Sequence, residues 1–272
     1  MAWVGTPGNL MRGDFLESQD VESERAVTTM TTLAGRRVAQ IGPAVRRTWS
    51  LSLPGVSTSE EIATWQAFSE GEYGPGPFTF VSDWAADVNL LTGPQSVLTP
   101  PSQFQGGTSE GGSLTFTDGT RAGRSLLATS GVSIAWPYDG DVIFMPVVPG
   151  QPLTVSAYAA VSGVRIRARL YSAGQAVTRT VGGSTSTGAG QRVSASTVAE
   201  PGEAFVLILL DRPSGGAFTV ARPAITWTDG LRPWGVGSGG VRVVMEGFSV
   251  SPTVGHRHMA YAGASFTLIE VG

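Results

Sequence analysis

Between Ser113 and Thr228 short apolar, β-branched runs alternate with turn signals, and no helical period interrupts them. The runs are Ser113–Phe116, Ser125–Ala135, Val142–Phe144, Leu153–Ala160, Val164–Leu170, Ala176–Val181, Gln191–Thr197, Ala204–Leu210 and Phe218–Thr228. Asp118-Gly119, Pro149-Gly150, Ser162-Gly163, Ala173-Gly174, Gly182-Gly183, Pro201-Gly202 and Ser214-Gly215-Gly216 punctuate them. Eight or nine strands at a pitch of roughly ten residues predict a β-sandwich or jelly roll.

The flanking segments read differently. Val27–Leu33 is β-branched, Ala34-Gly35 turns it, and Arg36–Ile41 returns. Gly42-Pro43 breaks the chain, and Arg46–Leu53 alternates as a third strand with Trp49, Leu51 and Leu53 on one face. One helix follows: Ser57 with Glu60 and Thr58 with Glu61 form overlapping capping boxes, and Ile62, Trp65 and Phe68 make an apolar stripe. Gly71 and Gly74 end it, and Gly76-Pro77 opens a strand containing Phe78 and Phe80. Trp49, Ile62, Trp65, Phe68, Phe78 and Phe80 are therefore the expected packing residues of this part. Residues 1–25 are mixed and without a clear period; their sparse acidic run, Asp14, Glu17, Asp20, Glu22 and Glu24, reads as a solvated loop or arm, and residues 92–112 read as loop. Val241–Val250 and Met259–Val271 are two more strands, too few to fold alone. They are expected to complete the N-terminal sheet across a flexible Gly235–Gly240 joint. The expected division is a first segment, 1–84, an inserted jelly roll, 85–230, and closing strands, 231–272. The fold class is mainly β.

Composition narrows the function. Only 14% of residues are charged, the net charge is −3, and all 18 basic residues are arginine. No global field attracts nucleic acid. No apolar run is long enough to span a membrane as a helix, and the first residues lack a signal-peptide pattern. With no cysteine, disulfides, thiolate zinc sites and thiol catalysis are excluded. The absence of lysine fits a GC-rich genome.

Motif strings are sparse. Gly235-x-Gly237-x-x-Gly240 has the spacing of a dinucleotide fingerprint, but a strand follows it where a helix is required. Gly107-Thr108-Ser109-Glu110-Gly111 matches a nucleophile elbow without the strand-to-helix setting. His256 and His258 would share one strand face and give two metal ligands per subunit, so symmetry mates would have to complete a shell, or else they sit in a solvated turn; no cofactor or metal is expected. Asp139 and Asp141 are the acids to watch for hydrolysis, though Asp in such places usually forms turns. Two features suit glycans. Trp136-Pro137-Tyr138 offers flat aromatic faces for a sugar ring, or else Trp136 plugs the sandwich core. Arg165, Arg167 and Arg169 share one strand face, where they either meet an anionic wall polymer or block edge pairing.

The order of parts in the flanking segments is similar to that of a known family. A hairpin and strand lead into a helix carrying Trp65-Gln66-Ala67-Phe68, then Gly76-Pro77-Phe78-Thr79-Phe80, and late strands close with Phe266-Thr267-Leu268-Ile269-Glu270-Val271. This resembles the distal-tail or minor tail proteins of long-tailed phages of actinobacteria, over about 125 residues. The resemblance implies a tail-tube-like β-sandwich or barrel with one helix that forms a ring, a hexamer, between the tail tube and the host-adsorption apparatus. It also implies tail tube, hub, baseplate and fibre proteins as partners, a place in the virion tail tip, and no enzymatic activity. In the insert, Val148–Tyr158, Gln191–Ser194 and Ala204–Leu210 resemble the strands of galactose-binding-like jelly rolls, a fold shared by carbohydrate-binding modules. That resemblance implies host cell-wall glycan as a further partner. The alternatives are a stand-alone glycan-binding module and a wall-degrading enzyme.

Overall fold

The structure, a computed structural model, describes residues 2–15, 20–55, 57–99, 104–110, 112–137, 145–256 and 259–271. In chain order the first elements are β1 (Ala2–Thr6), β2 (Asn9–Gly13), β3 (Asp20–Thr31), β4 (Arg37–Ser52), α1 (Ser59–Glu70) and β5 (Phe78–Ser82). Next come α2 (Asp83–Val88), α3 (Gly93–Ser96), β6 (Thr108–Glu110), β7 (Leu114–Thr115), β8 (Arg121–Ala122), β9 (Ser125–Ala128), β10 (Ile134–Trp136) and β11 (Met145–Pro146). The series continues with β12 (Pro152–Ala159), β13 (Arg165–Tyr171), β14 (Val177–Thr185), β15 (Gln191–Val198), β16 (Phe205–Asp211) and β17 (Phe218–Thr226). It closes with β18 (Val241–His256) and β19 (Met259–Glu270). The chain is mainly β, as its sequence predicts.

Two compact units emerge: residues 1–5, 11–80 and 241–272, and residues 6–10 and 81–240. The first is built on a seven-stranded sheet in the order β2-β1-β5-β18-β19-β4-β3. Thr58 caps α1, its Oγ1 accepting from the Glu61 amide at 3.2 Å, and Gly71 ends it in the left-handed region at φ 81°. Ser57 is thus not the cap. The α1 stripe is buried as expected. Trp65 stacks on Phe68 and Phe266 with centroids 5.5 and 5.7 Å apart, Phe68 meets the edge of Phe78, and Trp49 meets Phe80 at 4.9 Å. Contacts of this kind add roughly 0.5–1.5 kcal/mol each beyond area burial.

Three expectations change here. The first residues, which show no period, form a strand with Ala2, Trp3 and Val4 buried in β1, because an apolar strand with a partner gains more than a polar flank loses. The acidic run enters β3, where Glu22 is exposed on a strand rather than in a loop. Gly42-Pro43 does not end a strand. β4 runs through it, and the register slips there, Arg25 facing Val45 but Val27 facing Ile41. A bulge on the stretch of β4 that β19 does not reach tolerates a missing N–H. Finally, α2 and α3 add two short helices where one was expected; Ser82 and Thr92 cap them.

The second unit is a sandwich of two five-stranded sheets, β10-β16-β13-β14 with β11 beside β16, and β15-β12-β17-β9-β6. Ile166, Ala168 and Leu170 of β13 lie in register with Leu210, Ile208 and Val206 of β16, and all six are completely buried. The Gly235–Gly240 stretch is not a free joint. The Gly237 amide donates to Ser96 Oγ at 2.9 Å and the Gly240 amide to Leu90 O at 3.0 Å. A Cβ on Gly237 would come within 1.8 Å of the Leu91 carbonyl oxygen, so only glycine fits this approach.

Candidate functional site

The ladder of the first unit extends well beyond its core. β19 pairs with β4 only from Thr48 to Ser52, whereas β3 and β4 stay paired out to Thr31 and Arg37. Residues 37–47 of β4 and their β3 partners therefore form a two-stranded ribbon of roughly 35 Å at about 3.3 Å per residue. At its root Arg47 grips Glu270 with two charge-assisted bonds, Nε to Oε2 at 2.9 Å and Nη2 to Oε1 at 3.0 Å. Towards its tip Val27, Met30 and Val38 are exposed, and Leu33 is fully so. β18 and β19 make a second ribbon. Their pairing runs out to His256 and Met259, while β19 meets β4 only from Ser265 onward. Because Ile269 faces Thr48 and Ser265 faces Ser52, the two ribbons leave the shared ladder at opposite ends.

In the second unit Trp136 is placed in the core. It ends β10 opposite Ile208, and its side chain is 1% exposed. A buried indole has no face to offer a sugar. The exposed indole of this unit is Trp84, at 69% in the first turn of α2. Tyr138, Asp139, Asp141 and His258 lie outside the described residues, and among the described residues no cluster could hold a metal ion.

Arg165, Arg167 and Arg169 do alternate with buried residues on one face of β13. Arg165 makes a two-pronged contact with Asp211 at 3.1 and 2.8 Å, and Arg167 donates to the same carboxylate at 2.6 Å. The Asp211 contact, hydrogen bond first and charge second, raises the Arg165 pKa. Leu207, Leu209, Phe205 and Ala135 form a buried apolar cluster on that side of the sheet. The arginines are therefore members of a mixed face, not an open basic strip.

Among the described residues of the sandwich, two clefts are lined by polar side chains. One, about 430 Å³, is rich in hydroxyls and amides: Thr117, Ser184, Thr185 and Gln191 line it with Asp118 and Arg192. Asp118 accepts from the Thr120 amide at 2.8 Å and from the Tyr158 hydroxyl at 3.1 Å. Those bonds, the Thr120 amide foremost, hold its pKa below the usual range. Burial pushes the Arg192 pKa down; its guanidinium donates to Ser156 Oγ at 2.9 Å and lies 5.8 Å from the Tyr158 ring centroid.

The other cleft, about 330 Å³, is cationic. Arg121 and Arg124 reach it from β8 and the turn after it, Arg222 from β17, and Trp234 from the segment after the sandwich. The register of β12 and β17 shifts between Ser156 and Tyr158, which leaves Arg222 and Pro223 as a bulge, and Arg222 sits at φ 50°. Left-handed backbone is uncommon for a side chain of this size, and bulges re-aim side chains. Here the bulge lays the guanidinium over Trp234, 4.4 Å from the ring centroid, and lets it donate to the Arg121 carbonyl. Asn89, fully buried, fixes this corner. Its amide donates to Pro223 O at 3.1 Å and Gly235 O at 3.2 Å, while its Oδ1 accepts from Leu91 and Ile225. Sequence reading misses these residues, since they are scattered between Asn89 and Trp234 and share no motif. The residue before a proline is also biased to extended backbone, so the sequence argues against the very conformation that aims Arg222.

No family model matches the chain, and no curated protein matches it. Among solved structures, the chain is similar to the enzymatically active domain of tailspike protein 4 of bacteriophage CBA120, with TM-score 0.39 and 10% identity over 54% of this chain and 22% of that one. It is also similar to the CBM22-1 and GH10 modules of the endo-1,4-β-D-xylanase 10B of Clostridium thermocellum, solved with xylohexaose. That match has TM-score 0.34 and 11% identity over 53% of this chain and 29% of that one. The chain thus spans less than a third of the length of either.

Proposed function

We propose that the chain is a structural component of the tail tip of a long-tailed bacteriophage, assembling through its first unit into a closed ring, most simply a hexamer. In this reading it joins the tail tube to the adsorption apparatus, and its jelly roll contacts host surface glycans. The observation that carries it is the pair of ribbons. A two-stranded ribbon outside its own core is marginal in water, and the β3–β4 ribbon adds exposed Val27, Met30, Leu33 and Val38 at its tip. Such a surface gains stability when a neighbour covers it. Since the ribbons leave the ladder at opposite ends, one copy's ribbon meets a different surface of the next. That is a head-to-tail interface, which closes into a ring when its rotation allows. Assembly and binding, rather than catalysis, are then the whole activity.

Sedimentation of the purified protein over a range of concentrations, followed by electron microscopy of the largest species, tests this. Closed rings with sixfold views are expected. A chain that stays monomeric throughout overturns the ring, and binding of host walls by such a monomer leaves the stand-alone glycan-binding module in its place. Hydrolysis of wall material by the pure protein overturns the non-enzymatic part.

A further inference from the structure

We infer that the cleft of Arg121, Arg124, Arg222 and Trp234 binds an anionic sugar unit, a ring bearing a phosphate or carboxylate group. This deepens the proposed glycan contact of the jelly roll and rests on it for the polymer that carries the unit. Three arginines line one cavity in a chain of net charge −3, and no acidic residue lines that cavity among the described residues. Elsewhere in this unit three arginines meet carboxylates, Arg165 and Arg167 on Asp211 and Arg179 on Glu200 and Glu203, while Arg192 lies by the Tyr158 ring. In this cleft the guanidinium of Arg222 lies on an aromatic face, closer to the ring than that of Arg192. Guanidinium presents five donors in a planar fork suited to phosphate and carboxylate, and one bond to the Arg121 carbonyl leaves most of the Arg222 donors uncommitted.

Preorganisation supports a built site rather than a chance cluster. Arg222 is held at positive φ, stacked on Trp234, whose indole N–H is itself tied to Pro223 O at 3.2 Å, and Asn89 clamps both Pro223 and Gly235. Strained backbone persists where the surroundings over-determine it, and such positions cluster at ligand sites. The cavity of about 330 Å³ is far larger than one oxyanion needs and falls at the small end of ligand sites. Val97 and the Trp234 ring give it an apolar side beside the cationic one, which is the division a sugar with a charged substituent presents.

The test uses the full-length protein at low salt, titrated with glucose 6-phosphate, glucuronate, inorganic phosphate and glucose by calorimetry, with tryptophan fluorescence as a second readout. Glucose 6-phosphate and glucuronate are expected to bind, inorganic phosphate at least about fivefold more weakly, and glucose not measurably. The double variant R121Q/R124Q, changed at exposed side chains, is expected to lose at least about tenfold in affinity, as for lost charge-assisted bonds, with its melting temperature kept. Absence of binding by both sugar anions overturns the inference. So does binding that the double variant leaves unchanged, equal binding of glucose, or inorganic phosphate binding as tightly as the sugar phosphate. Wall fragments retained equally by R121Q/R124Q and the parent overturn this site while leaving the glycan-contact reading standing; loss of rings overturns assembly alone.

Discussion

The β3–β4 ribbon and strand β12 are both paired antiparallel β-structure, yet they meet water in opposite ways. β12 has two neighbours in its sheet and is buried at seven of eight positions. The described side chains of the ribbon beyond Thr48 lie largely in solvent, Val27, Met30, Leu33 and Val38 included. A strand's burial is thus decided by what lies against its faces, and not by its pairing alone. The sandwich covers its own strands, and one of its charges is buried with them: Glu203, 2% exposed at the side chain, is held by Arg179 at 2.7 and 3.1 Å, by Thr178 and by the Glu200 amide. The ribbon leaves its apolar side chains in solvent.

Hollowing either core should have the largest effect. Trp136→Ala in the sandwich and Trp65→Ala in the first unit are each expected to lose about 3–5 kcal/mol, read as a lowered calorimetric transition. Trp84→Ala, by contrast, should stay within about 0.5 kcal/mol. If Trp136→Ala proved as mild as Trp84→Ala, the sandwich would not be packed around it.

Next in size is the buried carboxylate. Arg179→Ala strands Glu203 without its cation, and about 3 kcal/mol or more should be lost. The same group gives the sandwich a pH dependence. Burial alone would raise the Glu203 pKa, but the Arg179 contact, the Glu200 amide and Thr178 outweigh it and the value is lowered. A carboxylate with a lowered folded pKa contributes stability that is complete above its unfolded pKa and is lost as pH falls through the folded one. Denaturant midpoints should therefore fall on acidification through the carboxylate range and depend less on pH in Glu203→Gln. An equal pH slope in both proteins would remove Glu203 from the account.

Smaller still, Glu270→Gln loosens the two-pronged grip on Arg47 at the ribbon root and should cost about 1–2 kcal/mol. Smallest of all for the single chain is the triple change Met30→Ser, Leu33→Ser, Val38→Ser, within about 0.5 kcal/mol because these side chains already face water. On assembly it should have the greatest effect, dispersing any ring in sedimentation. A triple variant that still assembles would show that the ribbon tip is no interface.

Much of the fold was legible in the sequence, because period-two patterning and turn residues act over a few positions. The α1 stripe of Ile62, Trp65 and Phe68 and the alternation of Ile166, Ala168 and Leu170 with arginines are both local signals, and both faces are buried as the pattern implies. The candidate site was not legible. Trp136 and Trp84 look equally conspicuous in the chain, and only the pairing of β10 with β16 sends the first inward. Arg121, Arg124, Arg222 and Trp234 lie more than a hundred positions apart at their extremes, and a bulge and a buried asparagine bring them together.

Local pattern is enough to specify a mainly β chain, the start and stop of α1, and the apolar faces of the clear strands. These follow from propensity, capping and alternation, which depend on neighbours in the chain. Tertiary structure alone decided that the first residues are a buried strand, that Gly42-Pro43 is a bulge, that Gly235–Gly240 is pinned, and that three arginines share a cavity with one tryptophan. Each of those depends on neighbours across a sheet, where burial energy and hydrogen-bond satisfaction override what a short stretch of chain prefers alone.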